Sequence, residues 1–426
     1  MVNLSRRAML IGGAGAAGAI TLMNKPEDRS GPRDEYFLAI QTALKTAGIA
    51  TPSLIIDRHR LNQNIDTLMQ HLPSDMGYRI VAKSLPSLTL IEHVRRRSGS
   101  DRIMTFNQPM LSQLSLAMPE ASQLLGKPLP VNAARTYFST LPETASAAGD
   151  KIEWLIDTNH RLEQYERLAQ DVGRTLKINL ELDIGLHRGG FEPDQALSSA
   201  LQKLAGSEYL EFAGYMGYEP HLPAIPTTLG WQDRAKAGAW NKYRQALTLA
   251  AAHFDPATID QLTRNAAGSP TYRYYDTTEI ANEISAGSCL VKPTHFDTDL
   301  LTPFQPAAFI AAPVIKSMPI TRMPGLEFAD APTRAWNPNS SKTIFIYGGH
   351  WLADPVDPPG LSYNSTFGRS SNQEMLNGGA ALDIAADDFV FLRPHQSEAL
   401  FMQFGDIAIY EDGEIVDYWP VFPASA

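Results

Sequence analysis

Only one cysteine, Cys289, occurs in 426 residues. No intrachain disulfide can form, and Cys-x-x-Cys zinc or redox motifs and cysteine-built iron–sulfur sites are excluded by arithmetic. Basic charge is in deficit as well, with 36 Lys and Arg against 46 Asp and Glu and a formal net charge of −10. A field of that sign argues against a nucleic-acid partner, which calls for a basic face. Neither a Gly-x-Ser-x-Gly elbow nor a His-Glu-x-x-His helix is present, and this disfavours a cofactor-free hydrolase. Repeats are lacking, and so is any low-complexity tract beyond the first residues. What is present is globular: 44% apolar residues, with 30 Gly and 30 Pro spread along the chain. The length suits two or three domains, or one large barrel with an extension.

The N-terminus reads as an address. Ser5-Arg6-Arg7-Ala8-Met9-Leu10 runs into the Gly/Ala-rich, weakly apolar stretch 11–23 and then into the charged segment 24–33. That stretch is too short to span a bilayer and reads as a signal peptide, and the paired arginines resemble the twin-arginine export signal. No cysteine follows it, so a lipoprotein anchor is ruled out. The expectation is a signal over residues 1–30, recognition by the twin-arginine export machinery and a periplasmic protein.

Further along, apolar spacing predicts a helix over 34–48, a strand at Thr51–Asp57 and a helix starting at Asp57. Tyr78–Lys83 is a strand ending in a lysine, followed by a helix over 86–97. Arg102–Phe106 and Ile152–Ile156 read as strands, each followed by a helix, 108–118 and 160–172. Thr175–Ile184, Leu210–Met216, Asp260–Ala266 and Glu283–Leu290 are further runs of strand length. About eight strand–helix units imply a parallel sheet closed into a (β/α)8 barrel over residues 31–300. From about Thr302 the pattern changes to short strand-like runs, Phe304–Met318, Lys342–Tyr347, Asp388–Leu392, Leu400–Phe404 and Asp406–Tyr410. Asp412-Gly413 between two such runs is the strongest hairpin signal in the chain. A mostly β domain over 301–426 follows.

Lys83 sits at the carboxyl end of its strand, which in such a barrel is the catalytic face. A lysine there can be desolvated into a nucleophile or Schiff-base former, although position alone equally suits one that reaches out to solvent. Its surroundings are more specific. Thr51-Pro52 in the first strand, Asn64 in the next helix and Arg79-Ile80-Val81-Ala82-Lys83 come first. Glu181-Leu182-Asp183-Ile184-Gly185-Leu186-His187-Arg188-Gly189-Gly190, Gly214-Tyr215-Met216-Gly217-Tyr218-Glu219-Pro220-His221, Gly268-Ser269-Pro270-Thr271 and Asn282-Glu283-Ile284-Ser285-Ala286-Gly287-Ser288 follow. In this order and spacing they resemble the alanine-racemase-like, fold-type III family of pyridoxal-phosphate enzymes, nearest the branch of D-threonine aldolase and D-serine dehydratase. The resemblance implies Lys83 as the Schiff-base lysine and Gly268, Ser269, Gly287 and Ser288 as phosphate binders. Glycine-rich turns of this kind form anion-binding nests. It implies Arg188 as a charged hydrogen-bond partner of the cofactor, Tyr218 against its ring, and His221 as a polar catalytic group.

A second constellation, Leu392-Arg393-Pro394-His395-Gln396-Ser397-Glu398, resembles the family's C-terminal Pro-x-His-x-Cys or His-x-Asp element, which binds a divalent metal. That implies Zn or Mn on His395 and Ser397. Ser397 departs from the pattern, and a neutral hydroxyl is a far poorer ligand than thiolate or carboxylate. Glu398 is adjacent, but on a strand its side chain faces the other way. His350 is a second histidine candidate. The expected function is a lyase acting on a D-amino acid, most simply a β-hydroxy one, as a homodimer. An amino-acid racemase and a non-catalytic pyridoxal-phosphate carrier are the alternatives.

Overall fold

The computed structural model describes residues 25–364 and 367–423. The export signal expected over residues 1–30 lies almost wholly outside the described residues. Contacts divide the chain into two units. One holds residues up to Ser53, Phe309–Pro394 and Asp412–Ile415; the other holds Leu54–Ala308, His395–Glu411 and Val416 onward. The C-terminal part is therefore not one block after residue 300, because 395–411 returns to the barrel unit. Among the described residues no helix is long and apolar enough to cross a membrane.

Strand β1 (Ser53–Asp57) opens the pattern but stays out of the barrel. The closed barrel is β2 (Gly77–Val81), β3 (Arg102–Thr105), β4 (Ser122–Leu125), β5 (Ile152–Ile156), β6 (Leu176–Leu182), β7 (Leu210–Gly217), β8 (Thr263–Ala266) and β9 (Glu283–Ala286). All eight pairings are parallel, with β2 closing on β9. The expected number of strands is met by a different set. β1 pairs in parallel with a late strand, and the four-residue β4 takes its place. Ser122-Gln123-Leu124-Leu125 carries a polar residue where an apolar run would flag a strand, and Gln123 is buried with its amide donating to Ser115 Oγ at 2.9 Å.

Local chemistry sets the strand-to-helix turns. Asp57, Ser87, Asn107, Thr158 and Asp194 each cap the helix that follows with a side-chain oxygen accepting a backbone N–H. Two sequence expectations are corrected at the last strands. The run Asp260–Ala266 starts in the end of a helix, Pro256–Gln261, whose cap is Asp255, and only Thr263–Ala266 is strand. The run Glu283–Leu290 stops as a strand at Ala286, and Ser288–Val291 is a short helix after Gly287. Its apolar residues Cys289, Leu290 and Val291 are all buried, so hydrophobicity alone could not separate the two states.

The β-rich unit is built from β10 (Ala308–Met318), β11 (Lys342–Tyr347), β12 (Ala353–Asp357), β13 (Ser362–Tyr363), β14 (Gln373–Gly378) and β15 (Phe389–Pro394). They run β13-β14-β11-β10, with β15 between β10 and β12, and each of these pairings is antiparallel. Phe37 of the helix Glu35–Thr46 packs on Phe309 and Phe391, with ring centroids 5.0 and 4.9 Å apart. In the barrel unit, β16 (Asp406–Glu411) pairs with β1, and β17 (Glu414–Pro420) pairs with β16. Asp412 and Gly413 join them with φ of 50° and 84°, the backbone that a two-residue type I′ turn needs. The run Leu400–Phe404 is not a strand: Glu398–Phe401 forms a helical turn with Leu400 and Phe401 buried.

Candidate active site

The barrel interior is closed by a buried polar layer. The Arg79 guanidinium donates to Glu283 from Nε at 2.5 Å and from Nη2 at 3.0 Å, and Asn265 Nδ2 donates to Glu283 Oε1 at 2.7 Å. The Arg79 guanidinium beside Glu283 outweighs burial and holds that carboxyl below its ordinary value. Asn265 also bonds Ser285 Oγ at 2.8 Å, and these two residues face a cavity above them.

That cavity, about 500 Å³, lies at the carboxyl ends of the strands. Its lining brings together Lys83, Arg188, Tyr218, Gly268, Ser269, Gly287 and Ser288, all seven residues expected to hold the cofactor. Lys83 leaves β2 on a 3-10 turn, Ala82–Ser84, with Nζ 4.8 Å from the Phe106 ring centroid. Arg188 lies over the Tyr218 ring, its Cζ 5.4 Å from the centroid. Burial, with Glu219 and Glu398 nearby, pushes the Tyr218 phenol up to about 12, so it stays a neutral donor.

Two glycines are required by close approach. A Cβ on Gly287 would stand 2.8 Å from the Val81 carbonyl oxygen, and one on Gly268 would stand 2.6 Å from Tyr218 Cε2. The two loops are tied together: Ser269 Oγ accepts from Gly287 N at 3.2 Å and from Cys289 N at 3.1 Å, and Ser288 Oγ donates to Ser84 Oγ at 2.9 Å. Glycine-rich turns with hydroxyls at strand ends are of the kind that form anion-binding nests. Asn64, buried in the helix Arg58–His71, holds the base of this region by donating to the Leu290 and Gln305 carbonyls, both at 2.8 Å.

The other expected residues are placed elsewhere. His221 does not line the cavity; its ring lies beside Gly185, with Nδ1 buried and unpartnered, and burial lowers its pKa. His395 and Ser397 do not line it either. The His395 ring stacks on His295 with centroids 5.2 Å apart, and Ser397 Oγ is buried with no hydrogen-bond partner. Among the described residues, the only group of three ligating side chains is Asp183, His187 and Glu192, which includes neither. One histidine and a neutral hydroxyl do not make the donor set of a Zn or Mn centre, so no chemistry is assigned to a metal here. His350 is exposed and belongs to the β-rich unit.

Sequence reading missed Glu398 as a lining residue. It starts a helix and is not on a strand, so the strand premise is corrected, and its side chain faces the cavity that His395 and Ser397 do not line: Glu398 Oε1 is 2.9 Å from Lys83 Nζ. Phe106, Lys127, Glu181 and the ion pair Asp157–Arg161 at 2.8 Å complete the charged and aromatic part of the lining.

Comparison with known proteins agrees with this geometry. No curated protein sequence matches the chain. In three dimensions it is similar to D-threonine aldolase from Filomicrobium marinum, at 17% identity and a TM-score of 0.69 over 88% of this chain and 95% of that one. It is similar to D-threo-3-hydroxyaspartate dehydratase from Delftia sp. HT23, at 14% identity and a TM-score of 0.66 over 88% and 98%. Alanine racemase of Clostridium difficile 630 superposes at 14% identity and a TM-score of 0.64 over 87% and 98%. The profile of the alanine racemase N-terminal domain matches residues 56–294, more than half of the chain. With that match and a barrel whose strand ends gather a lysine and an anion cradle, the chain belongs to the alanine racemase N-terminal domain family, the fold-type III pyridoxal-phosphate enzymes.

Proposed function

We propose that this protein is a pyridoxal-phosphate lyase acting on a D-amino acid with a hydroxyl at Cβ. The observation that carries the reading is the meeting of Lys83 with Arg188, Tyr218, Gly268, Ser269, Gly287 and Ser288 in one cavity. The residues fit the cofactor. Lys83 would supply the amine that holds the cofactor's aldehyde. The 268–269 and 287–288 loops would hold the phosphate, and Gly287 lets them pack closely against Val81. Arg188 and Tyr218, which lie against each other in the lining, would hold the cofactor's ring by charge and by aromatic contact. When bound, the cofactor withdraws electrons from the substrate's Cα, and the protein selects the bond that breaks. Lys127, exposed and without an ion-pair partner among the described residues, is the cation that takes the substrate's carboxylate. From the same cavity the Lys83 amine would hold or return the proton beside Cα.

Loading with pyridoxal phosphate, borohydride reduction and peptide mapping test the assignment, followed by product analysis on D-threonine, D-serine and D-alanine. The reduced adduct is expected on Lys83, and Lys83→Ala should lose both adduct and turnover. Cleavage or ammonia release from the hydroxy substrates supports the lyase. Racemisation of D-alanine alone would transfer the site to the racemase reading, and loading without turnover would transfer it to the carrier. A Lys83→Ala protein that keeps adduct and activity overturns the assignment.

A further inference from the structure

The pairing of Glu398 with Lys83 goes beyond the residues that hold the cofactor, and its meaning rests on the reading above. Glu398 is placed and not merely near. It is the first residue of the turn Glu398–Phe401, which closes with the Phe401 N–H donating to the Ser397 carbonyl at 3.0 Å. Leu400 and Phe401 are buried beneath it. The two paired side chains are 40% and 38% exposed, and both face the cavity. The other carboxylates of the lining have cations of their own: Asp157 has Arg161, and Glu181 faces Arg188. Lys83 would be engaged by the cofactor when a substrate enters, and the amine released afterwards would work beside Cα as a neutral base, so in neither state does a free ammonium offset Glu398. Glu398 is then the carboxylate left facing the side chain a substrate brings in.

We propose that Glu398 selects the chemical class of that side chain, admitting a neutral hydroxyl and rejecting a carboxylate. An ionised carboxylate only accepts hydrogen bonds, and a hydroxyl at Cβ is a donor that can meet it in a short, charge-assisted bond. A second carboxylate at the same point is repelled, more strongly in a partly desolvated cavity than in water. Specificity of this kind needs an unfavourable contact with the wrong ligand as well as a favourable one with the right ligand. Threonine- and serine-like D-amino acids therefore fit, and 3-hydroxyaspartate does not.

The test uses the holoenzyme and its Glu398→Gln and Glu398→Asp variants. kcat and KM are measured on D-threonine, D-serine and D-threo-3-hydroxyaspartate, and affinities for D-alanine and D-aspartate are measured by calorimetry. The wild type is expected to prefer the neutral hydroxy substrates by at least about tenfold in kcat/KM. Glu398→Gln should erase most of that ratio and tighten D-aspartate binding by about tenfold, with cofactor loading retained. Glu398→Asp should keep the wild-type direction, which a merely structural role would not require. An unchanged ratio and unchanged D-aspartate affinity in Glu398→Gln, or a wild type that prefers the acidic substrate, overturns the proposal. If no substrate is turned over, the lyase reading fails, and the two calorimetric affinities still decide the role of Glu398.

Discussion

At the scale of single residues, the cavity depends on two positions where a side chain beyond hydrogen does not fit. In Gly268→Ala the new methyl carbon meets the Tyr218 ring at 2.6 Å, so the ring must tilt away from Arg188 or the loop at 268–269 must move. Displacing a preorganised group by about 1 Å can cost on the order of a hundredfold in rate. Gly268→Ala should thus lose about tenfold or more in cofactor affinity or kcat while unfolding near the wild-type temperature, since the strain is local to a loop. Equilibrium dialysis against pyridoxal phosphate, with a melting curve alongside, measures both; wild-type affinity would show that the loop yields without cost. The sequence made these residues legible because each has a chemical reason to be what it is. Lys83 ends a strand, and the glycines sit next to hydroxyls. Glu398 was not legible, because its role depends on a turn replacing a strand. Nothing in Glu398-Ala399-Leu400-Phe401 separates those states once Leu400 and Phe401 are apolar and buried.

At the scale of elements, the barrel floor depends on a buried ion pair. Arg79 and Glu283 are each 1% exposed, on β2 and β9, the two strands whose pairing closes the ring. Glu283 also receives Arg102 Nη1 at 2.9 Å, so one carboxylate is held by two cations from adjoining strands. Removing one partner of such a pair leaves an uncompensated buried charge and typically costs about 3–5 kcal/mol. Arg79→Met should destabilise by that order in a urea titration, and adding Glu283→Gln should restore part of it, because the orphaned charge is then gone. A single variant with near wild-type stability would mean that Arg102 alone suffices. The alternation of strand and helix was readable because most strand runs are apolar and most helices start at Asp, Asn, Ser or Thr caps. The identity of the eight strands was not. β1 has the composition of a barrel strand, Leu54, Ile55 and Ile56 being fully buried, yet its partner β16 lies some 350 residues away in sequence. Pairing over such a separation leaves no local mark.

At the scale of the whole molecule, stability against pH is set by carboxyls pulled in opposite directions. Glu219, fully buried where β7 passes into the cavity loops, is pushed up to about 7 by burial, against the pull of hydrogen bonds with Thr271, Tyr275 and the Ala267 N–H. Its folded pKa lies above the unfolded one. The stability it contributes is therefore complete below the ordinary carboxylate range and is lost as pH rises through about 7. Glu283, Asp183 and Asp388 have folded values below their ordinary ones, despite burial, because of Arg79, of backbone N–H groups and of Lys45 respectively. Their contribution is present above the ordinary carboxylate range and is lost as pH falls below it. The two sets together place the stability maximum near the ordinary carboxylate range, with a decline from there to about pH 7 that levels off above it. A tenfold difference in proton affinity between folded and unfolded chain is worth about 1.4 kcal/mol, so Glu219 alone changes stability by a few kcal/mol between the two limits. Glu219→Gln keeps the shape and removes the charge, and its melting temperature should fall less than that of wild type between about pH 5 and about pH 7. Because Glu219 bonds the residues flanking Gly268, cofactor retention should weaken over the same interval in wild type and hold in the variant. Parallel melting curves for the two proteins across that interval would place the decline elsewhere in the molecule.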